Sequence, residues 1–266
     1  MQSVLVAYSG GADSTFLLKV AASVLGDRAV AVTASSETYT PQELQDAKRN
    51  AEIIGAKHII VNTHELDDPN FSSNPPDRCY YCKMELFTKL TKIAGEHGLN
   101  YIIDGSTCDD DNDFRPGMRA VAEFHVRSPL KDAGFLKEEI KVLSKDMNLP
   151  TWDKPPLPCL STRFPYGTQI TKEKVRRVAG AEEFLLSLGI RQLRVRDHDN
   201  IARIEVPRAN MPIFLDEKIS KQIVEKLKSL GYAYVTLDIQ GYRMGSMNEP
   251  LQETSLSWTE KKSGNS

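Results

Sequence analysis

The sequence predicts an α/β protein, a doubly wound parallel sheet covered by helices, followed by a small α+β domain. Three observations predict it. Short apolar, β-branched runs alternate with stretches of helical periodicity through the N-terminal part, the pattern of successive βαβ units. A glycine turn, Ser9-Gly10-Gly11-Ala12-Asp13-Ser14, joins the first apolar run to the first helical one. From Leu149 to Gly167 the pattern stops, because prolines at 150, 155, 156, 158 and 165 leave no room for a regular element, and hairpin spacing follows. The domains therefore fall at 1–149 and 168–266, with 150–167 as a proline-rich active-site loop and linker.

Taken in order, Val4–Tyr8 reads as a strand and Ser14–Leu25 as a helix. The turn between them has two glycines, so backbone can approach a ligand closely, and its N–H groups with those of the helix start form an anion cradle. A nucleotide bound there would have its phosphates on Ser9, Gly10, Gly11 and Ser14. No lysine follows Gly11 as it does in a Walker A loop, which disfavours γ-phosphoryl transfer. The bland alternative is a serine-glycine turn that only reverses the chain. Strand Ala29–Ala34 ends in Ser35-Ser36-Glu37, and helix Pro41–Ile54 opens with Thr40 as N-cap and Pro41 at the first helical position. Strand His58–Asn62, helix Met84–His97 and strand Tyr101–Asp104 follow, the last running into Gly105-Ser106. Ligands of such sheets bind at the carboxyl ends of the strands, where these polar residues lie, although either end alone reads as turn chemistry. Beyond the proline-rich loop come a helix over Lys172–Leu188 capped by Thr171, and strands Gln192–Arg196 and Ala202–Val206 around Asp197-His198-Asp199-Asn200. A helix near Asp216–Leu230 and a strand near Tyr234–Ile239 complete the domain; Glu253 to Ser266 is polar, weakly patterned and expected to fray.

Composition narrows the function class. The 266 residues are 40% hydrophobic and 26% charged, as in ordinary globular proteins, and the formal net charge of −2 offers no reason to expect a nucleic acid partner. No apolar run is long enough for a bilayer and no signal-peptide pattern is present, so a cytoplasmic location without membrane attachment is expected. Four cysteines in such a chain read as metal or catalytic ligands rather than a disulfide framework. Cys79-Tyr80-Tyr81-Cys82 can present two thiols to one metal, and Cys159 stands in the proline-rich loop. The residues alone leave open a metal or cluster site, a redox dithiol, and half a zinc site completed by His or Cys108. Cys108, in an acidic loop, reads more simply as a small filler.

Five stretches together resemble one family: Ser9–Ser14, Arg78–Lys83, Asp104-Gly105 through Asp113-Phe114-Arg115-Pro116-Gly117, Cys159–Gly167, and Arg194-Val195-Arg196 through Glu205. They are similar to the LarE-type ATP-dependent sulfur transferases of the PP-loop superfamily, whose first domain is adenine nucleotide alpha hydrolase-like. The resemblance covers nearly the whole chain. It implies ATP and Mg²⁺ as cofactors and a small mononucleotide, pyridinium-3,5-biscarboxylic acid mononucleotide, as substrate, into which sulfur is inserted on the way to a nickel-pincer cofactor. In one branch of the family a single cysteine of the proline-rich loop gives up its own sulfur; in another, three cysteines hold a [4Fe-4S] cluster that delivers sulfide. Cys79, Cys82 and Cys159 occupy those three positions, so the resemblance is to the cluster-bearing branch. It also implies a homo-oligomer, a hexamer formed through the small domain.

Resemblance and chemistry together assign roles. Asp13 would orient Mg²⁺ and pyrophosphate, and Ser35 and Gly105 would lie near the adenosine. Charge building on the α-phosphate calls for fixed cations, for which Lys83 and Arg163 are available. Arg194 and Arg196, two apart on a strand, project from one face and suit a phosphomonoester, with Glu182 nearby by resemblance; the simpler reading of the pair is a solvated hairpin face. The acidic loop Asp109–Asp113 with Arg115 would bind Mg²⁺ or close over ATP. Three competing readings stay open: a tRNA thiolase of the same superfamily, an amide-forming adenylating ligase, and a non-catalytic redox regulator using Cys79 and Cys82 as a dithiol.

Overall fold

Parallel strands buried on both faces need near-continuous apolar runs, and the N-terminal part of the chain supplies them. The structure, a computed structural model, describes residues 1–112, 115–156 and 158–249. Asp113 and Phe114 of the acidic loop, and the segment 253–266, lie outside the described residues. The chain divides into two compact units, Met1–Cys159 and Leu160–Ser266, so that the division falls inside the proline-rich stretch.

In the first unit, β1 (Val4–Ala7), β2 (Ala29–Ser35), β3 (Lys57–Asn62) and β4 (Tyr101–Ile103) form a parallel sheet in the order β3-β2-β1-β4. The helices are α1 (Ala12–Leu25), α2 (Pro41–Ile54), the single turn α3 (Pro69–Ser72), α4 (Arg78–Glu96), α5 (Met118–Glu123), the single turn α6 (Pro129–Asp132) and α7 (Lys137–Asp146). The alternation of side chains along each strand feeds two cores. Val4, Val6, Ala29 and Ala31 pack with Phe16, Leu18, Ala47 and Ile140 on one face, and Leu5, Val30 and Val32 pack with Phe87, Leu90 and Val121 on the other. The sheet is thus covered on both sides, as the alternating pattern predicts. Thr40 caps α2 with a full capping box: its hydroxyl accepts from the Glu43 N–H at 3.2 Å, while its own N–H donates to Glu43 Oε2 at 2.7 Å.

Two features of this unit differ from the sequence expectation. Helix α4 starts at Arg78, not Met84, so Cys79 and Cys82 lie on its first turns rather than in a loop. Cysteine and tyrosine have poor helix propensity and carry no apolar stripe, which hides the turn; tertiary contacts hold it, with the Arg119 guanidinium 3.4 Å from the Tyr80 ring centroid and the Tyr80 hydroxyl donating to Glu123 at 2.9 Å. The helices α3, α5, α6 and α7 are additions to the expected set. The first three are too short to show a period, and α7 buries only Ile140 and Ser144.

In the second unit, α8 (Lys172–Ser187) and α9 (Glu217–Ser229) pack on a sheet of β5 (Arg194–His198), β6 (Ile201–Glu205) and β7 (Tyr234–Leu237), ordered β5-β6-β7. β5 and β6 are antiparallel, β6 and β7 parallel. The hairpin turns at Asp199-Asn200, with Asp199 at φ +56° and its N–H donating to Asp197 Oδ1 at 3.0 Å, which is the chemistry Asp and Asn bring to left-handed turns. Thr171 and Asp216 cap the two helices as their sequence positions suggest. Ala181, Leu185, Val195, Ile204, Ile223 and Leu227 form a separate core. Among the described residues, no helix is long and apolar enough to cross a membrane.

Candidate functional site

β1 lies between β2 and β4, so the order of connection reverses beside it, and an open parallel sheet binds ligands at the carboxyl ends of strands at that point. The glycine turn is there. Gly10 has φ +72°, and a Cβ on it would stand 2.9 Å from the Ala47 Cβ, so both conformation and space require glycine. Gly105, after β4, packs against the same turn: a Cβ would lie 3.0 Å from the Ser14 nitrogen. Gly11 is the N-cap of α1 and supplies no side-chain cap, which leaves the first N–H groups of the helix for an anion. The hydroxyls of Ser9 and Ser14 are 3.1 Å apart, and Ser9 Oγ accepts from the Gly11 N–H at 3.3 Å. A cavity opens beside the turn, lined among others by Tyr8, Ser9, Ser35, Ser36, Tyr39 and Glu43. Ser35 is on its wall.

Asp13 is half-buried at the start of α1. Burial pushes its carboxyl above the ordinary range; Lys137 and Arg115 pull against that shift, and Asp110 and Asp109 add to it. These groups form one network. Lys137 Nζ donates to Asp110 Oδ1 at 2.8 Å and its backbone N–H to Asp109 Oδ2 at 2.8 Å, while Arg115 Nη2 is 2.9 Å from Asp110 Oδ1. Burial would raise Asp110 too, but Lys137, the Thr107 N–H and Arg115 overrule it and hold the carboxyl below its usual value. The sequence marks Asp109, Asp110 and Arg115 but not Lys137. A faint signal for it exists, since a lysine at the first position of a helix opposes the helix dipole. Lys83 lies on α4 with its stem across Gly117, where a Cβ would come 2.8 Å from Lys83 Cδ. Its ammonium, 6.0 Å from the Phe87 ring centroid, makes no ion pair with the described residues.

Cys79 and Cys82 are one turn apart on α4, which puts them on one face. Burial drives the Cys82 thiol well above its ordinary value, and Glu65, Cys159 and Cys79 add to the shift. Tyr39 is raised in the same way, by burial and then by Cys82 and Cys159. The three thiols therefore share a neighbourhood with Glu65 and with a tyrosine on the cavity wall. Glu65 is 2% exposed; its Oε1 accepts from the hydroxyls of Ser36 and Thr38, each at 2.6 Å. It comes from the loop after β3, and no motif marks it. Among the described residues, no group of three His, Cys, Asp or Glu side chains stands close enough to hold one metal ion. Cys108 is turned elsewhere, its Sγ 3.6 Å from the Lys131 carbonyl oxygen.

In the second unit, Arg194 and Arg196 are 4% and 5% exposed, so the solvated-face reading does not hold. The register that puts Arg194 opposite Glu205 and Arg196 opposite Arg203 turns both toward the interior. Arg196 donates from Nη1 to the Thr162 carbonyl oxygen at 2.9 Å and from Nη2 to Glu205 Oε2 at 2.8 Å, and its buried Nε has no hydrogen-bond partner among the described residues. Arg194 donates to the Leu193 carbonyl oxygen at 2.6 Å and lies over Tyr242; burial, with the like charge of Arg163, holds its pKa below the usual value. Arg163 forms a two-pronged pair with Glu182 at 2.8 and 2.9 Å, and Glu182 Oε1 also accepts from the Val195 N–H. Glu182 thus fixes Arg163 and the edge of β5 together.

No protein-family model matches the chain. It is 46% identical over 251 residues, 94% of each chain, to an uncharacterized protein of Synechocystis sp.. It is 31% identical over 242 residues, 91% of each chain, to an uncharacterized protein of Methanocaldococcus jannaschii. To the pyridinium-3,5-bisthiocarboxylic acid mononucleotide synthase of Lactiplantibacillus plantarum it is 41% identical over 259 residues, 96% of this chain and 92% of the relative. Identity of that extent, on a parallel-sheet unit with its glycine turn at the switch point, shows that the chain belongs to the LarE-type family of ATP-dependent sulfur transferases in the PP-loop superfamily.

Proposed function

We propose that the protein adenylates a carboxylate of pyridinium-3,5-biscarboxylic acid mononucleotide with ATP and then replaces the adenylate by sulfur, giving the thiocarboxylate precursor of a nickel-pincer cofactor. A carboxylate oxygen attacks the α-phosphorus and pyrophosphate leaves; a sulfide sulfur then attacks the activated carbonyl carbon and AMP leaves. Residues 1–149 serve as the ATP domain, 150–167 as the active-site loop and 168–266 as the substrate and oligomerisation domain. Ser9, Gly10, Gly11 and Ser14 hold the phosphates, Asp13 orients Mg²⁺ and pyrophosphate, and Ser35 and Gly105 border the adenosine. Lys83 and Arg163 supply fixed positive charge, the latter aligned by Glu182. Family resemblance supports a cytoplasmic homo-hexamer.

The observation that carries the substrate assignment is the buried Arg196, which keeps a guanidinium N–H without an acceptor among the described residues next to the equally buried Arg194. Arg196 is already paired with Glu205, but its buried Nε–H still calls for an acceptor, and a phosphomonoester oxygen provides one. Cys79 and Cys82, one turn apart on α4 and with Cys159 in their electrostatic neighbourhood, support the cluster reading. Cys79, Cys82 and Cys159 would hold a [4Fe-4S] cluster, which would supply an iron able to carry the donated sulfide.

The nucleotide products test this reading. Protein with Mg²⁺, ATP and the biscarboxylate should give AMP and pyrophosphate, and ADP in their place would remove the PP-loop assignment. Arg196→Ala should weaken substrate binding by about 1.5–3 kcal/mol, the range of a charged hydrogen bond, and leave ATP binding alone. An equal loss of ATP affinity would move Arg196 to the nucleotide site.

A further inference from the structure

Lys154 lies in the proline-rich loop, five residues before Cys159. Its side chain is only 19% exposed. The ammonium donates to the carbonyl oxygen of Gly10 at 3.3 Å and stands 3.5 Å from Asp46 Oδ2 on α2. It therefore ties together three segments of the first unit: the loop that carries Cys159, the glycine turn, and the helix against which that turn is wedged. The wedge is tight, because Gly10 sits with the Ala47 Cβ in the place its own Cβ would need.

The bond falls on an informative peptide unit. The carbonyl of Gly10 and the N–H of Gly11 belong to one planar amide and point in opposite directions. That N–H is part of the anion cradle and donates to Ser9 Oγ at a long 3.3 Å, a bond a phosphate oxygen would readily displace. Lys154 holds one end of a rigid plate whose other end takes the phosphate. An ammonium on the carbonyl also polarises the amide and strengthens its N–H as a donor. Asp46 keeps the ammonium in place by charge.

Resting on the adenylation reading above, we infer that Lys154 is a positioning residue that couples occupation of the phosphate cradle to the placement of the Cys159 loop. When phosphates take the Gly11 N–H, the plate tilts, and the loop follows through Lys154. Sulfur delivery is thereby matched to the presence of nucleotide, although Lys154 touches no reacting atom.

Trp152, in the same loop, reports on this directly. In a Trp258→Phe background it is the remaining tryptophan, and its emission is read with and without Mg²⁺ and the non-cleavable α,β-methylene analogue of ATP. We expect a nucleotide-dependent change that is lost in Lys154→Met and kept in Lys154→Arg, both at saturating analogue. In a single turnover, Lys154→Met should release pyrophosphate at close to the wild-type maximal rate, while the rate of thiocarboxylate formation falls by roughly ten-fold, the scale of one charge-assisted hydrogen bond. Asp46→Asn leaves the ammonium and should weaken the fluorescence response without abolishing it. A Trp152 response in Lys154→Met equal to that of the unsubstituted chain, or no response in either, would overturn the inference. AMP formation by the unsubstituted chain is scored separately, so a failure of the adenylation reading is not confused with a failure of the coupling.

Discussion

Asp13 holds an ionisable group where ionisation is opposed. Its pKa is raised by burial first, with Lys137 offsetting the effect and Asp110 restoring part of it. For a carboxyl raised in the folded state the sign is unfavourable at neutral pH: the charged form costs stability there, and the cost disappears as pH falls below the unfolded value of about 3.9, where the group is neutral in both states. Asp13→Asn should therefore melt at a higher temperature than the parent at neutral pH, with the two curves converging in acid, and it should make no AMP. A residue retained against stability is what a Mg²⁺-orienting carboxylate at a helix start requires. Melting temperatures of both proteins across the acid-to-neutral range check the first part. An Asn variant that melts lower at neutral pH, or still forms AMP, would take Asp13 out of that role.

At the scale of the element, the first turns of α4 concentrate chemistry: Cys79, Cys82 and Lys83 lie at i, i+3 and i+4 on one face. The lysine is aimed by its neighbour α5, whose N-cap Gly117 leaves room for the Lys83 stem. Gly117 has φ −63°, so alanine there meets no backbone strain, and its Cβ would push only the end of a flexible side chain. Gly117→Ala should keep the fold and its urea midpoint but slow AMP formation, because Lys83 is re-aimed. Gly95→Ala is the control. It sits within α4 with nothing within 4 Å of where the added methyl would stand, and it should stabilise by about 0.5–1 kcal/mol with unchanged AMP formation. What is legible in the sequence at this scale follows periodicity and caps: α2 with Thr40 and Pro41, α8 with Thr171, and the parallel strands. The start of α4 is not, because Cys-Tyr-Tyr-Cys has neither propensity nor stripe and is held by Arg119 and Glu123 from a helix that itself shows no period.

Across the whole molecule, the chain gives each unit its own core and its own polar apparatus: the glycine turn and thiols in the first, the guanidiniums in the second. Residue types and spacings make the glycine turn, the cysteines and the arginine pair visible in sequence, but not Glu65 or Lys137, which reach the site only because the fold returns distant loops to it. The thiols illustrate the same convergence. Cys79 and Cys82 come from α4 and Cys159 from the far end of the unit, yet Cys82 is shifted by both others. That arrangement makes the sulfur source testable. If the trio holds a cluster, Cys79→Ala, Cys82→Ala and Cys159→Ala should each lose iron and sulfur transfer together after anaerobic reconstitution, while still releasing pyrophosphate, since adenylation precedes the sulfur step. Cys108→Ala should keep iron and transfer, its thiol being engaged with the Lys131 carbonyl instead. A sacrificial cysteine gives a different pattern: only Cys159→Ala inactive, one transfer per site, and spent protein lighter at Cys159 by the mass of hydrogen sulfide. Intact-protein mass after turnover, read beside iron content, separates the two, and an iron-free Cys79→Ala/Cys82→Ala double variant that still makes thiocarboxylate would exclude the cluster.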